Sequence, residues 1–237
     1  GAGAAPIMAA VSEKMKSERF RTELITNVSH DIKTPLTSII NYVDLLQKED
    51  IDNEKVREYL DVLDRQSSRL KKLIQDLLDA SKASTGSINV ELEELDAAVM
   101  LSQVAGEYKE KFKKNNLDLI IKNDVTPVMI QADGRHLWRV FDNLMNNINK
   151  YAQPCTRVYI DIIPKDSGAI ITFKNVSATP LNISSDELKE RFVRGDSSRN
   201  TEGSGLGLSI AESLMKLMNG TLELTVDGDL FKVTLEF

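Results

Sequence analysis

Apolar residues recur along the first third of the chain at alternating steps of four and three. Val28, Ile32, Pro35, Ile39, Tyr42 and Leu46 make one series, and Val56, Leu60, Leu63, Ser67, Leu70, Ile74 and Leu77 make another. That is the repeat of about 3.5 residues expected of a coiled-coil-like seam. Residues 7–48 contain no glycine, and only Pro35 interrupts the helical pattern. Residues 49–53 form a polar break, Asn53 is placed to cap a second helix, and Ser84-Thr85-Gly86 should end it. Two helices joined by a short turn make an antiparallel hairpin that cannot cover its own apolar stripe. The expected solution is a homodimer in which two hairpins close a four-helix bundle.

After Gly86-Ser87 the pattern changes to short alternating elements, which sets the expected domain boundary. The chain then divides into 1–6, whose Gly-Ala-Gly-Ala-Ala-Pro reads as a cloning scar or linker, a helical hairpin over 7–86, and a second domain over 87–237. Alternation predicts strands over 88–95, 117–122, 158–163 and 169–174, the last two around Pro164-Lys165-Asp166-Ser167-Gly168. Helices are expected over 96–115 and 133–151, the latter with Leu137, Val140, Phe141, Leu144 and Ile148 as its apolar stripe. A polar stretch, 175–203, shows little regularity. A helix over 204–218 stops at Asn219-Gly220, and strands 222–226 and 230–237 form a hairpin across Asp227-Gly228-Asp229. The sum is an all-α hairpin followed by a mixed sheet with helices on one face, an α/β sandwich.

Composition changes this picture little. With 237 residues, 41% hydrophobic and 28% charged, the chain can bury the cores of two domains. A net charge of −6, without a long basic run, argues against nucleic acid and anionic membranes as partners. One cysteine, Cys155, allows no internal disulfide and fits a reducing compartment. No run approaches the roughly 20 apolar residues that span a bilayer, so no membrane contact is expected within this stretch. The opening scar leaves the natural protein free to carry an anchor elsewhere.

The chemistry concentrates in three places. His30 and Thr34 lie four residues apart on one helix face, with Asp31 about 100° round from His30. Pro35 lacks an N–H and crowds the carbonyl of Asp31, so the helix should open or bend there. A histidine, with an ordinary pKa of about 6.5, is largely neutral and nucleophilic at neutral pH, and an adjacent carboxylate can take its ring proton. A lone His-Asp pair is ordinarily just surface. Asn143, Asn147 and Lys150 share a face of the 133–151 helix, beside Tyr151. Amide oxygens and an ammonium suit Mg²⁺ with phosphates, although asparagines on a solvated face are commoner. Gly203-Ser204-Gly205-Leu206-Gly207-Leu208 opens the next helix, where free N–H groups and the helix dipole favour an anion. Alone, that glycine pattern is weak, and it lacks the Lys-Ser/Thr of a P-loop.

Taken together, four strings in order resemble sensor histidine kinases over about residues 20–237. Ser29-His30-Asp31-Ile32-Lys33-Thr34-Pro35-Leu36 is similar to their H-box, and Asn143 to Tyr151 to their N-box. Glu190 to Arg199, with Arg191, Phe192 and Arg194, resembles the F-box and ATP lid, and the glycine turn resembles the G2 box. The resemblance implies a dimeric helical phosphotransfer domain and a Bergerat-type ATP-binding domain. It implies ATP and Mg²⁺ as ligands, His30 as phosphoacceptor, Asp31 as base and Thr34 as the residue placing water for dephosphorylation. By the same resemblance Asn147 ligates Mg²⁺, Asn143 and Lys150 contact phosphates, Tyr151 packs on adenine, and Arg191 and Arg194 neutralise phosphate charge. The implied partner is a response regulator receiver domain, and the implied setting is the cytoplasmic side of a bacterial plasma-membrane sensor. One departure stands out. The family's Asp-x-Gly-x-Gly box is replaced by Asn175-Val176-Ser177-Ala178-Thr179, although the Asn175 carbonyl can still accept from an adenine amino group. The alternatives are a dimeric scaffold with a decayed nucleotide pocket, and an ATPase of the same fold using Asp142 as its acid.

Overall fold

The computed structural model describes Ile25, Ser29 and residues 32–49, 51–84, 88–123, 127–181 and 206–237. The chain divides into two compact units, one running to Ile88 and the other beginning at Asn89.

The first unit contains helix α1 (32–48) and helix α2 (Glu54–Ser84), with Ile25 and Ser29 also helical. Asn53 caps α2: its Oδ1 accepts from the N–H groups of Lys55 (3.1 Å) and Val56 (3.3 Å). Gln47 reaches across the turn to donate to Asp61 Oδ1 at 3.3 Å, and Arg57 donates to the Ile51 carbonyl at 2.9 Å. α1 is continuous through Pro35. The carbonyl that Pro35 would deprive, that of Asp31, lies outside the described residues.

Burial splits the apolar series that the sequence suggests. Leu36 and Val43 are buried, and so is Ser29, while Ile32, Ile39, Tyr42 and Leu46 are exposed, Tyr42 at 68%. On α2, Leu60, Ser67, Ile74 and Ser81 are buried, and Leu63, Leu70 and Leu77 are exposed. Tyr42 aside, each row steps by seven. A heptad helix has two apolar positions, and here one is buried within the unit and the other is left uncovered. The seam read from the sequence therefore mixes two faces, and on α1 it omits both buried leucine and valine.

The second unit runs β1 (Glu93–Asp96), α3 (Ala97–Lys114), β2 (Asp118–Asn123), β3 (Met129–Ala132), α4 (Gly134–Tyr151), β4 (Arg157–Lys165), β5 (Gly168–Val176), α5 (Gly207–Leu217), β6 (Thr221–Asp227) and β7 (Leu230–Glu236). Five strands form one sheet in the order β2-β4-β5-β7-β6, with β2 parallel to β4 and the other pairs antiparallel. β1 and β3 form a separate antiparallel ribbon. Register aligns Ile121, Ile160, Phe173, Val233 and Leu224 in one row across all five strands. Phe173 meets Phe141 of α4, ring centroids 5.9 Å apart, so this face carries the helices. The other face carries polar pairs such as Lys174 with Asp161, and Lys122 over the Tyr159 ring. The mixed, one-sided α/β sandwich is as expected. Among the described residues no helix is long and apolar enough to cross a membrane.

Four boundaries differ from expectation. β1 starts at Glu93 and not at 88, because the Glu91 N–H is taken by a side chain and not by a ladder. β3 was not expected, since Met-Ile-Gln-Ala is short and carries one β-branched residue. β4 continues through Pro164, which pairs with Ala169, to a turn at Asp166-Ser167. Proline is tolerated there because pairing with β2 ends at Ile162, so Pro164 lies on an edge. Gly168 completes that turn with φ +112°, where an added Cβ would strike the Phe237 carbonyl at 2.1 Å. Finally, α5 begins at Gly207, three residues later than expected, with Leu206 as its cap.

Asp133 fixes the start of α4. Its Oδ1 accepts from the N–H groups of Arg135 (3.0 Å) and His136 (3.3 Å), and its Oδ2 from the Glu91 N–H (3.0 Å) and the Arg135 guanidinium (3.1 Å). Burial alone would raise its pKa, but the bonds from Arg135, Glu91 and His136 outweigh it and hold the carboxyl well below the usual range. A depressed folded-state pKa means that its stabilisation is complete above the unfolded value of about 4 and is lost as pH falls below that. Asp133→Asn should therefore be less stable than wild type in urea melts at neutral pH, and the gap should narrow in acid below about pH 4. A gap independent of pH would contradict the assignment.

Candidate functional site

α4 buries Leu137, Val140, Phe141, Leu144, Met145 and Ile148 and leaves a polar, half-buried face. Asn143 and Asn147 lie one turn apart on it. The Nδ2 atoms of both are buried and have no hydrogen-bond partner among the described residues. Buried amides are normally paired, and one left unpaired costs about 1–3 kcal/mol, so two together mark a place where the described residues leave donors to be satisfied. Lys150, half-buried, and Tyr151 follow on the next turn.

The N-terminus of α5 comes to the same place. An added Cβ on Gly207 would lie 3.4 Å from Asn143 Oδ1. The Leu206 side chain makes no capping hydrogen bond and no acid occupies the first turn of α5, so among the described residues no first-turn carboxylate offsets the helix dipole. Leu208 is buried, which leaves its backbone N–H as its contribution.

The far end of α4 is laced to the end of β5. Ala178 N–H donates to the Tyr151 carbonyl and Gln153 N–H to the Val176 carbonyl, both at 2.8 Å, and Ala152 bridges Ser177. These bonds bring Tyr151 beside the strand end that carries Asn175. Asn175 is 4% exposed, and its Nδ2 donates to the Val176 carbonyl at 3.1 Å, which leaves Oδ1 as the acceptor.

Asn143, Asn147, Lys150, Tyr151, Asn175, Leu206, Gly207 and Leu208 thus gather on α4 and the two elements against it. Thr34 is exposed on α1, in the other unit. His30, Asp31, Arg191, Phe192, Arg194, Gly203, Ser204 and Gly205 lie outside the described residues. Asp142 does not turn toward this face: its Oδ1 accepts from Tyr108 of α3 at 2.6 Å. Arg139 was missed. It stands one turn ahead of Asn143 on the same stripe, half-buried, and extending the spacing of four backward would have found it.

Chemically, amide nitrogens without a partner among the described residues, next to a helix N-terminus, suit a ligand rich in anionic oxygens. Among the described residues no group of three or more His, Cys, Asp or Glu could hold a metal. A hard cation here would take an asparagine oxygen and draw its remaining ligands from such a ligand and from water.

Comparison with known proteins agrees in both units. A family model described as "His Kinase A (phospho-acceptor) domain" matches residues 20–86, and one described as "Histidine kinase-, DNA gyrase B-, and HSP90-like ATPase" matches residues 132–237. The sensor protein VanSC of Enterococcus gallinarum is 30% identical over 210 residues, 87% of this chain and 58% of that protein. The sensor protein kinase WalK of Staphylococcus aureus is 29% identical over 218 residues, 90% of this chain and 52% of that protein. The chain therefore spans little more than half the length of these relatives. Among solved structures, full-length ShkA in complex with AMPPNP shares the fold, with TM-score 0.75 at 22% identity over 90% of this chain and 45% of that one.

If the two amides are held for a ligand, they cost stability in its absence. Asn147→Leu, with the same branching and no amide to satisfy, should raise the urea midpoint of the free protein, by about 1 kcal/mol of stability. A loss of stability would show that the fold itself satisfies Asn147.

Proposed function

We propose, because the chain belongs to the sensor histidine kinases and carries both domains of their catalytic core, that it binds MgATP and transfers the γ-phosphoryl group to His30. Residues 7–86 serve as the dimerisation and phosphotransfer domain and 87–237 as the ATP-binding domain. The observation that carries this reading is the pair of buried amide nitrogens of Asn143 and Asn147, without a partner among the described residues, beside the N-terminus of α5.

In this reading the N–H groups of Gly203 to Leu208, with Asn143 and Lys150, hold phosphate oxygens, and Arg191 and Arg194 add positive charge. The adenine ring packs on Tyr151, and its amino group donates to Asn175 Oδ1. Asn147 would hold Mg²⁺, which would supply charge neutralisation to the phosphates. The imidazole of His30 attacks phosphorus in line; an N–P bond forms, the bond to the ADP oxygen breaks, and Asp31 takes the ring proton. Little covalent chemistry is asked of the protein beyond placement and charge. The phosphoryl group then passes to an aspartate of a response regulator receiver domain, and Thr34, exposed on α1, serves a phosphatase mode by orienting water.

The uncovered rows Ile32, Ile39, Leu46 and Leu63, Leu70, Leu77 support a homodimer, since a second hairpin would bury them. The whole protein, longer than this chain if it follows VanSC and WalK, of which the match covers 58% and 52%, would sense on one side of a plasma membrane and present this core on the cytoplasmic side. A decayed scaffold would have no reason to keep two costly amides. An ATPase using Asp142 would need that carboxylate free of Tyr108.

Incubation with γ-labelled ATP and Mg²⁺ tests the reaction. Wild type should carry an acid-labile, base-stable label, and His30→Ala should carry none while still binding nucleotide; label retained on the variant removes His30 from the mechanism. Sedimentation at micromolar concentration should give a dimer, and Leu70→Asp should shift it toward monomer. A wild-type monomer would overturn the bundle.

A further inference from the structure

We propose that Tyr108 of α3 and Asn115, its C-cap, are positioning residues that set the rotation and height of α4, and hence aim its asparagine face at the phosphates; this rests on the nucleotide reading above.

Two hydrogen-bonded rungs join the helices. Tyr108 OH donates to Asp142 Oδ1 at 2.6 Å and to the Asp142 carbonyl at 3.2 Å. Asn115 Nδ2 donates to the Asn149 carbonyl at 2.8 Å and to its Oδ1 at 2.9 Å. Both rungs join residues 34 apart in sequence. They are therefore separated by seven residues on each helix, about 10.5 Å along the axis. One bond would leave α4 free to pivot about a point. Two bonds two turns apart fix both its rotation and its slide, because hydrogen bonds tolerate only a few tenths of an ångström where apolar side chains repack over more.

The rungs fall where the site needs them. Asp142 is the neighbour of Asn143, and Asn149 the neighbour of Lys150. Each rung thus holds a residue about 100° round the helix from a proposed ligand. Tyr108 is itself held firmly: it is 2% exposed, its ring stands edge-on to Phe112 at 5.8 Å, and Lys111 Nζ lies 4.2 Å from the ring centroid. Burial and the Asp142 carboxylate push its phenol far above the ordinary range, so it remains a donor at every physiological pH. Asp142 therefore holds α4 in place, and its carboxylate is spent on α3.

Calorimetric binding of MgATP to the whole chain, at a temperature where thermal melts show every variant fully folded, tests this. Tyr108→Phe should weaken binding about tenfold, the loss expected of one hydrogen bond to a charged group. Asp142→Asn, which keeps an acceptor for the phenol, should lose less than about threefold. Tyr108→Phe with Asp142→Ala should lose no more than Tyr108→Phe alone, because both remove one interaction. Unchanged affinity in folded Tyr108→Phe, Asp142→Asn as weak as Tyr108→Phe, or additive losses would each overturn the clamp and leave the nucleotide reading standing. A wild-type chain that fails to bind MgATP would sink both.

Discussion

Everything in the second unit follows from burying one stripe of α4. Leu137, Val140, Phe141, Leu144, Met145 and Ile148 pack toward a sheet face whose rows are set in register by the strands, with Phe141 on Phe173. Side chains of this size contribute about 1.5–3 kcal/mol each when fully buried. That is ample to hold the helix on the sheet, but it is not directional. Direction comes from polar contacts at three points: Asp133 at the first turn, Tyr108 and Asn115 along the side, and the bonds from Gln153 and Ala178 at the end. Apolar burial and polar registration divide the work. The face left over is then presented at a fixed angle, and that face holds Asn143 and Asn147.

The first unit shows the same division in a simpler form. Buried rows Ser29, Leu36, Val43 and Leu60, Ser67, Ile74, Ser81 make a hairpin core that is polar at several of its layers. Small polar side chains bury little area, so this core alone is thin, and the uncovered leucine and isoleucine rows are wider than it. A stem whose larger apolar faces point outward gains most of its stability by association. A second hairpin laid on these rows would therefore add to the stability of the stem.

Local chemistry made much of this legible in the sequence. Asn53 reads as a cap from its residue type, and it caps; Asp96 and Asp133, expected as the first residues of their helices, stand just outside them as caps. The α4 stripe reads from its period, and the Asn219-Gly220 stop from its composition. What did not read is what depends on partners distant in the chain. β3 exists because Met129 to Ala132 finds β1, and Pro164 stays in a strand because β2 happens to end beside it. The splitting of the heptads into covered and uncovered rows depends on which helix faces which, and periodicity cannot decide that. In the site, the spacing of Asn143, Asn147 and Lys150 was visible. The hold of Tyr108 on Asp142 was not, because a tyrosine in an amphipathic helix looks like core until its partner 34 residues on is known.

Asn175 departs from the family's pattern and still places an acceptor at the end of β5. An aspartate at the end of β5 would bring a charge into a buried position, and that charge would have to be paid for by donors. The asparagine instead gives its nitrogen to the Val176 carbonyl, which orients the side chain and leaves an uncharged oxygen to accept. An exocyclic amino group needs only an acceptor. It also leaves one negative charge fewer near a polyphosphate, in a chain that already carries −6. The missing glycines of the following turn are replaced by a different restraint, since Ser177 N–H donates to the Asp229 carbonyl and Ala178 N–H to the Tyr151 carbonyl, both at 2.8 Å. A segment tied to β7's turn on one side and to α4 on the other no longer needs glycine's freedom to follow its path. The backbone's course is set by its neighbours, and the side chain at 175 is left with a single task.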